Sequence, residues 1–518
     1  MSPAPGARRR RHRRTYGLAL ALALPALVGA CGSTGATGTG ATKGPVHDTQ
    51  VVASPTSTVP AAPATPPISW SPCAGDASIQ CGVVVVPVDY AHPDGPHLTL
   101  SVSRAPALVA PAAGSLFFNP GGPGESGNQI LSVALALLPS GVRRDFDVVT
   151  FDPRGTGASD PLTCGTPPAA LTSADPVPSG PGKPLPGTPV FTSMARSCAQ
   201  SPLVPFIDTT ATARDMDRIR AALGLSTISY YGLSYGTVLG TEYADLFPTR
   251  VRAMVLDGAV DVNASLTQQA DEAAPAEERS LQHLLHVACA HGGTSCPLGA
   301  HPRTAYQSLV DRLRRQPLPA PAGSAYPVTL GDLDTAALFA VSVPETQAPF
   351  MSALGAAEKG DGGPIRSIAL QFQEDVDGAP LEEALWAITC NDAADHPGPV
   401  VAGDLATTLQ QRHPLLGAYA ATYTMGGCVA WAPARSPITD VHPRGAPPIL
   451  VVGNTGDPNT PYIGARHLAA AIASSRLLTW KGWGHTWLLS GSGDPCMRQW
   501  VSRYLSGGGL PPRATACS

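Results

Sequence analysis

The chain has 518 residues, 43% of them hydrophobic, and a formal charge of −4. This length suits one large domain carrying an insertion, with enough apolar material to bury a sizeable core. With 34 basic against 38 acidic side chains, there is no broad electropositive face for phosphates, which argues against nucleic acid as a partner.

The basic residues that do cluster, Arg8 to Arg11, Arg13 and Arg14, precede an apolar run from Leu18 to Val28. A charged start, a short apolar stretch and small residues after it describe an export signal, here residues 1–31. The run is too short to span a bilayer comfortably. Leu27-Val28-Gly29-Ala30-Cys31 resembles a bacterial lipobox, in which Cys31 would carry lipid, and the Arg13-Arg14 pair resembles a twin-arginine signal. The expected location is therefore the cell surface by a lipid anchor, with plain secretion as the alternative. Residues 32–67 are rich in Gly, Thr, Ala, Ser and Pro and read as a flexible tether, because they hold too little apolar surface to offset ordering entropy.

The folded part begins near Ile68. Val83 to Val88 and Leu98 to Ser103, separated by the turn cluster His92 to Pro96, read as an antiparallel hairpin. Strands are then expected at Ser115 to Phe118 and Phe146 to Phe151. A helix follows from Thr212 to Leu223, with Gly224 as its stop. The next strand is Thr227 to Tyr231, then a helix from Val238 to Phe247 ended by Pro248, then a strand from Val251 to Leu256. Such alternation predicts a mostly parallel sheet flanked by helices. From residue 263 to 444 the sequence turns helical in period. Strand signals return at Ile449 to Val452 and Arg476 to Trp480. The expected organisation is an α/β core in two parts, 68–262 and 445–518, with a mainly helical cap at 263–444 inserted between late strands. A cap there would cover the sheet edge where open α/β folds bind ligands.

Gly232-Leu233-Ser234-Tyr235-Gly236 lies between a predicted strand and a predicted helix, the setting in which G-x-S-x-G forms a nucleophile elbow. A serine hydroxyl needs a base and an orienting carboxylate to react. Asp457 and His485 each follow a late predicted strand, in the order this topology requires, and complete a candidate catalytic triad with Ser234. Asp257, after the preceding strand, is the rival acid. For the oxyanion, the N–H of Tyr235 is one candidate donor. The loop Asn119 to Glu125, through Gly122, offers the second. Asp152 and Arg154 read as structural. An Asp at the elbow would be needed for dehalogenase or epoxide-hydrolase chemistry, and Ser234 excludes it.

Taken together, Asn119-Pro120-Gly121-Gly122-Pro123-Gly124, Asp152-Pro153-Arg154-Gly155-Thr156-Gly157, the elbow, Asp457-Pro458-Asn459-Thr460-Pro461 and Gly484-His485 resemble the tripeptidyl-aminopeptidase and prolyl-aminopeptidase-like serine hydrolases of the α/β-hydrolase fold. The resemblance extends over nearly everything after residue 68. It implies removal of short peptides from free N-termini through an acyl-enzyme, with peptides as substrates and no metal or organic cofactor. Such an exopeptidase needs a carboxylate for the substrate amine, for which Glu125 and Asp392 are the candidates. Glu125 stands where the family pattern has a small residue. The alternatives are an esterase or lipase with the same triad and, more remotely, an inert anchored binding module.

Setting Cys31 aside from the eleven cysteines leaves ten. In an exported chain these suggest up to five disulfides. Pairing of near neighbours gives Cys73 with Cys81, Cys164 with Cys198, Cys289 with Cys296, Cys390 with Cys428, and Cys496 with Cys517. His283, His286 and His291 near Cys289 lack zinc spacing, so no metal site is expected there.

Overall fold

A computed structural model describes residues 65–290, 296–373 and 381–518. The expected export signal with Cys31, the tether up to residue 64, and His291 lie outside the described residues. Ten strands form one sheet: β1 (Ser71–Cys73), β2 (Asp76–Pro87), β3 (His97–Ala105), β4 (Gly114–Asn119), β5 (Phe146–Phe151), β6 (Ile228–Leu233), β7 (Val251–Asp257), β8 (Leu450–Gly456), β9 (Arg476–Trp483) and β10 (Ala516–Cys517). Their order across the sheet is β1-β2-β3-β5-β4-β6-β7-β8-β9-β10. Pairings from β1 to β5 through β2 and β3 are antiparallel, and all those from β5 to β10 are parallel.

Side-chain alternation explains why these segments are strands. In the β2–β3 hairpin Val84 and Val86 are buried while Val83 and Val85 are exposed, the pattern of a sheet wet on one side. The central strands differ, because helices cover both faces. Tyr230, Leu256 and Val451 pack into one core, and their chain neighbours Tyr231, Val255 and Val452 pack into another on the opposite face. A period of two with apolar residues on both sides gives the continuous hydrophobic runs read in the sequence.

The insertion between β7 and β8 is helical and carries a core of its own, which includes Leu281, Tyr306, Leu309, Leu333, Phe350 and Leu354. Its first helix, Leu266–Cys289, starts at Ser265, whose side chain accepts from the Gln268 N–H. A part of the chain that precedes β6 joins the insertion. The helix Thr188–Cys198 brings Phe191 edge-on to Trp386 at 5.7 Å, and the Glu383 carboxylate accepts N–H bonds from Cys164 (2.5 Å) and Thr166 (2.8 Å). The sequence reading places no element there, because prolines and glycines break its periodicity. The Gly127–Leu137 helix is likewise absent from that reading.

All five near-neighbour disulfides are formed. The two largest loops have sequence separations of 34 and 38. Chain-entropy arguments assign each about 4 kcal/mol. Among the described residues, no helix is long and apolar enough to cross a membrane.

Candidate active site

The elbow is built by close backbone approach. Ser234 holds φ +53° between β6 and the helix Gly236–Leu246, a conformation that costs a non-glycine residue about 1–3 kcal/mol. The turn closes because its neighbours lack a Cβ. A Cβ on Gly232 would lie 2.3 Å from the Gly236 carbonyl oxygen, and one on Gly236 would lie 2.8 Å from Asn119 Oδ1. A Cβ on Gly121 would lie 2.6 Å from the Leu233 carbonyl oxygen. The Ser234 N–H donates to the Asp257 carbonyl at 2.9 Å, fixing the turn to the next strand. Ser234 thus stands at the sheet's C-terminal edge, over a helix N-terminus whose dipole favours developing negative charge.

Asp457 follows β8 and His485 follows β9. The His485 Nδ1 atom lies 2.9 Å and 3.2 Å from the two Asp457 oxygens. Asp457 also accepts from the N–H groups of Asn459, Thr460 and Thr486 at 3.0, 2.9 and 3.0 Å, and from the Thr460 hydroxyl at 3.0 Å. Donors on this scale hold the carboxylate in one orientation. The His485 N–H donates to the Ser342 carbonyl at 2.9 Å, which ties the histidine loop to the insertion. A second tie is His283, whose ring stacks on Trp483 with centroids 3.8 Å apart. Burial, the largest influence on His485, favours the neutral ring. The charge and hydrogen bond of Asp457, with Asp257 and Glu125 adding to them, outweigh it and leave the pKa above the usual 6.5.

Asp257 serves another purpose. It is fully buried and accepts from Tyr231 Oη at 3.0 Å and from the N–H groups of Trp487 and Leu488 at 2.9 Å each. Burial pushes its carboxyl up to about 6. Its oxygens therefore hold the turn after His485, while the ring itself is held by Asp457.

Ser234 and His485 line one cavity of about 640 Å³, together with Tyr235, Gly122 and Glu125. Phe339, Phe372 and Tyr423 form an aromatic wall, with Phe372 lying 5.2 Å from Phe339 and 6.2 Å from Tyr423 between ring centroids. Asp392 also reaches the cavity, and each of its oxygens accepts one bond from Thr209, from the N–H at 2.8 Å and from the hydroxyl at 2.6 Å. Burial, then the nearby Asp208, pushes the Asp392 carboxyl well above the usual carboxylate range. Asp152 accepts from the Ser126 hydroxyl (2.6 Å) and from the N–H groups of Asn128 and Ala158 (3.1 and 2.9 Å), anchoring the loop that carries Gly122. Arg154 is buried in an ion pair with Asp215 at 2.7 Å. Sequence reading missed Thr460 and Ser342, which orient the histidine and its acid, and Glu277 and Glu382, buried carboxyls of the insertion. Thr460 is three residues from Asp457 and was legible as a local hydroxyl. The others depend on long-range packing.

Two family models match the chain. One described as alpha/beta hydrolase fold covers residues 114–284, and one described as TAP-like protein covers residues 413–517. The chain is 33% identical over 482 residues to the serine protease Hip1 of Mycobacterium tuberculosis, covering 87% of this chain and 91% of that one. It is 31% identical over 480 residues to a tripeptidyl aminopeptidase of Streptomyces coelicolor, covering 87% and 86%. Carboxylesterase B of M. tuberculosis is 32% identical over 487 residues, covering 89% and 92%. With this extent of similarity and this sheet, the chain belongs to the TAP-like family of the α/β-hydrolase fold and is a serine hydrolase.

Proposed function

We propose that this serine hydrolase is an aminopeptidase that removes short peptides, tripeptides or similar, from free N-termini, with Ser234, His485 and Asp457 as its catalytic triad. The Ser234 hydroxyl oxygen attacks the scissile carbonyl as its proton passes to His485 Nε2, and Asp457 holds the opposite N–H of the ring. The oxyanion sits against the N–H groups of Tyr235 and Gly122. Collapse breaks the C–N bond, and the leaving amine takes the proton from His485. Water, deprotonated by the same ring, then attacks the acyl-Ser234 ester, releases the short peptide as its acid, and the hydroxyl is restored.

The observation that carries the substrate class is the charge of the cavity wall. Glu125, Asp261, Asp395 and Asp440 line it, burial favours the neutral form of Asp392 and Glu382 beside them, and no Lys or Arg lines it among the described residues. An anionic wall attracts a substrate ammonium and repels a C-terminal carboxylate. The volume lies in the range of small-ligand sites. A single observation favours the esterase reading instead: the aromatic wall of Phe339, Phe372 and Tyr423 would equally accept an apolar acyl chain.

Five disulfides support an oxidising compartment, and we extend the proposal to export, with lipid on Cys31 and residues 263–444 as the cap. The test of the activity is a panel of peptide amides, free and N-acetylated, with Ser234→Ala as control. Turnover of the free peptides and loss of it on acetylation is the expected result. Turnover of simple esters with neither amide cleaved would move the enzyme to the esterase class.

A further inference from the structure

We propose that the side branch of the catalytic cavity that ends on Glu277 is a cation subsite, which receives the ammonium group of the substrate. The inference rests on the aminopeptidase reading above and names the anchor that reading requires.

The branch has a volume of about 150 Å³ and shares Gly122, Pro123, Tyr423, Asn459 and Thr460 with the main cavity. It therefore opens between the oxyanion loop and the loop that carries Asp457. Glu277, on the Leu266–Cys289 helix, lines it. This side chain is 1% exposed, and its Oε2 atom has no hydrogen-bond partner. Several other buried carboxylates among the described residues are provided for. Asp215 meets Arg154, Asp332 meets Arg366, Glu383 takes two backbone N–H groups, and Glu382 accepts from Trp386 Nε1 at 2.7 Å. Asp334 also has an unpartnered oxygen, but it does not line the cavity or the branch.

An isolated buried carboxylate is too costly to persist, so it takes a proton or meets a cation. Burial, with Glu278 beside it, pushes the Glu277 carboxyl up to about 8. The other titratable groups whose charge is coupled to Glu277 are Asp334, Tyr419 and Tyr423, none of them a cation. No Lys or Arg lines either the branch or the main cavity among the described residues. Asp261 and Glu272 line the branch too, but face His467, at 2.9 and 3.7 Å. Without a ligand the carboxyl therefore keeps its proton, and a cation that pairs with Glu277 would come from a ligand rather than from the chain.

The chemistry of the branch selects an ammonium over a metal ion. Calcium takes six to eight oxygen ligands. Among the described residues, no group of three ligand atoms with metal spacing includes Glu277. An ammonium needs one carboxylate and gains from an aromatic face. Tyr423 lines both branch and cavity, stacked with Phe372 and Tyr419, and the Glu382 carboxyl also acts on it. Reach gives a further reason. Three extended residues span up to about 10 Å, so the amine of a tripeptide lies well away from the reacting carbonyl. Glu125, whose charge acts on His485, lines the main cavity but not the branch, whereas Glu277 lines the branch but not the main cavity.

The test is Glu277→Gln, assayed as the ratio of kcat/KM for a free tripeptide amide to that for its N-acetylated form. Loss of one charge-assisted hydrogen bond should lower this ratio by about ten- to a hundredfold, mainly through KM of the free peptide. Glu358→Gln, at an exposed carboxylate that lines neither the cavity nor the branch, is the comparator and should leave the ratio unchanged. An unchanged ratio in Glu277→Gln, with discrimination intact in the unmodified enzyme, overturns the subsite and leaves the aminopeptidase reading standing. If the unmodified enzyme itself shows no preference for the free amine, both fall. A second measurement does not depend on the variant folding. n-Butylammonium chloride should inhibit the unmodified enzyme competitively, and inhibition no stronger than that by n-butanol overturns the proposal.

Discussion

Two aspartates follow neighbouring strands, and their hydrogen bonds give them different work. Asp457 faces His485 Nδ1 and is fixed by three backbone N–H groups and a threonine hydroxyl. Asp257 faces the backbone of Trp487 and Leu488. Asp457→Asn should lower kcat by roughly 10⁴, because an amide that donates to Nδ1 selects the wrong tautomer of His485. Asp257→Asn should instead cost about 1–3 kcal/mol of stability through its unsatisfied N–H partners, with far less effect on kcat. Steady-state kinetics and thermal melts on the two variants check this, and the opposite assignment of effects would make Asp257 the acid. Both candidates could be named from their places after predicted strands. Asp457 is the one placed with the histidine and Asp257 its rival, while the contact itself depends on the turn at Thr486, a non-glycine residue at φ +56°.

Among the elements, strand–elbow–helix was the most legible unit. Six consecutive buried residues in β6, then Ser234, then the Gly236–Leu246 helix follow from an apolar run, a glycine pair and a helical period, all local signals. The parallel sheet and the inserted helices could be read for the same reason. The helix Thr188–Cys198 could not, because its position is set by partners far along the chain, Trp386 among them. Asp392 teaches the same lesson in the site. Its position at the end of the Glu382–Asp392 helix puts it on the cavity, as a candidate for the amine should be. Only the fold reveals that Thr209, at the start of another helix, donates to each of the Asp392 oxygens. Glu277 went unread because a glutamate in a helix with regular polar spacing reads as solvated until the packing around it is known.

At the scale of the molecule, the sheet supplies Ser234, Asp457 and His485 from three strand ends, and the insertion supplies the wall opposite them. The two parts are joined by Ser342 to His485 and by His283 on Trp483, so the histidine loop carries contacts from both. The proposed lipid on Cys31 belongs to this scale as well. Cys31→Ala should move the protein from the membrane fraction to the soluble one after export. Unchanged membrane association would remove lipid on Cys31 from the account. The central claim, that Ser234 carries the acyl group under activation by His485, is tested most directly by inactivating the enzyme with a fluorophosphonate and mapping the modified peptide by mass spectrometry. The account predicts one adduct, on Ser234, that does not form in His485→Ala, and a fall in kcat on the order of 10⁶ in Ser234→Ala. An adduct on another serine, or a Ser234→Ala enzyme that keeps most of its activity, would contradict it.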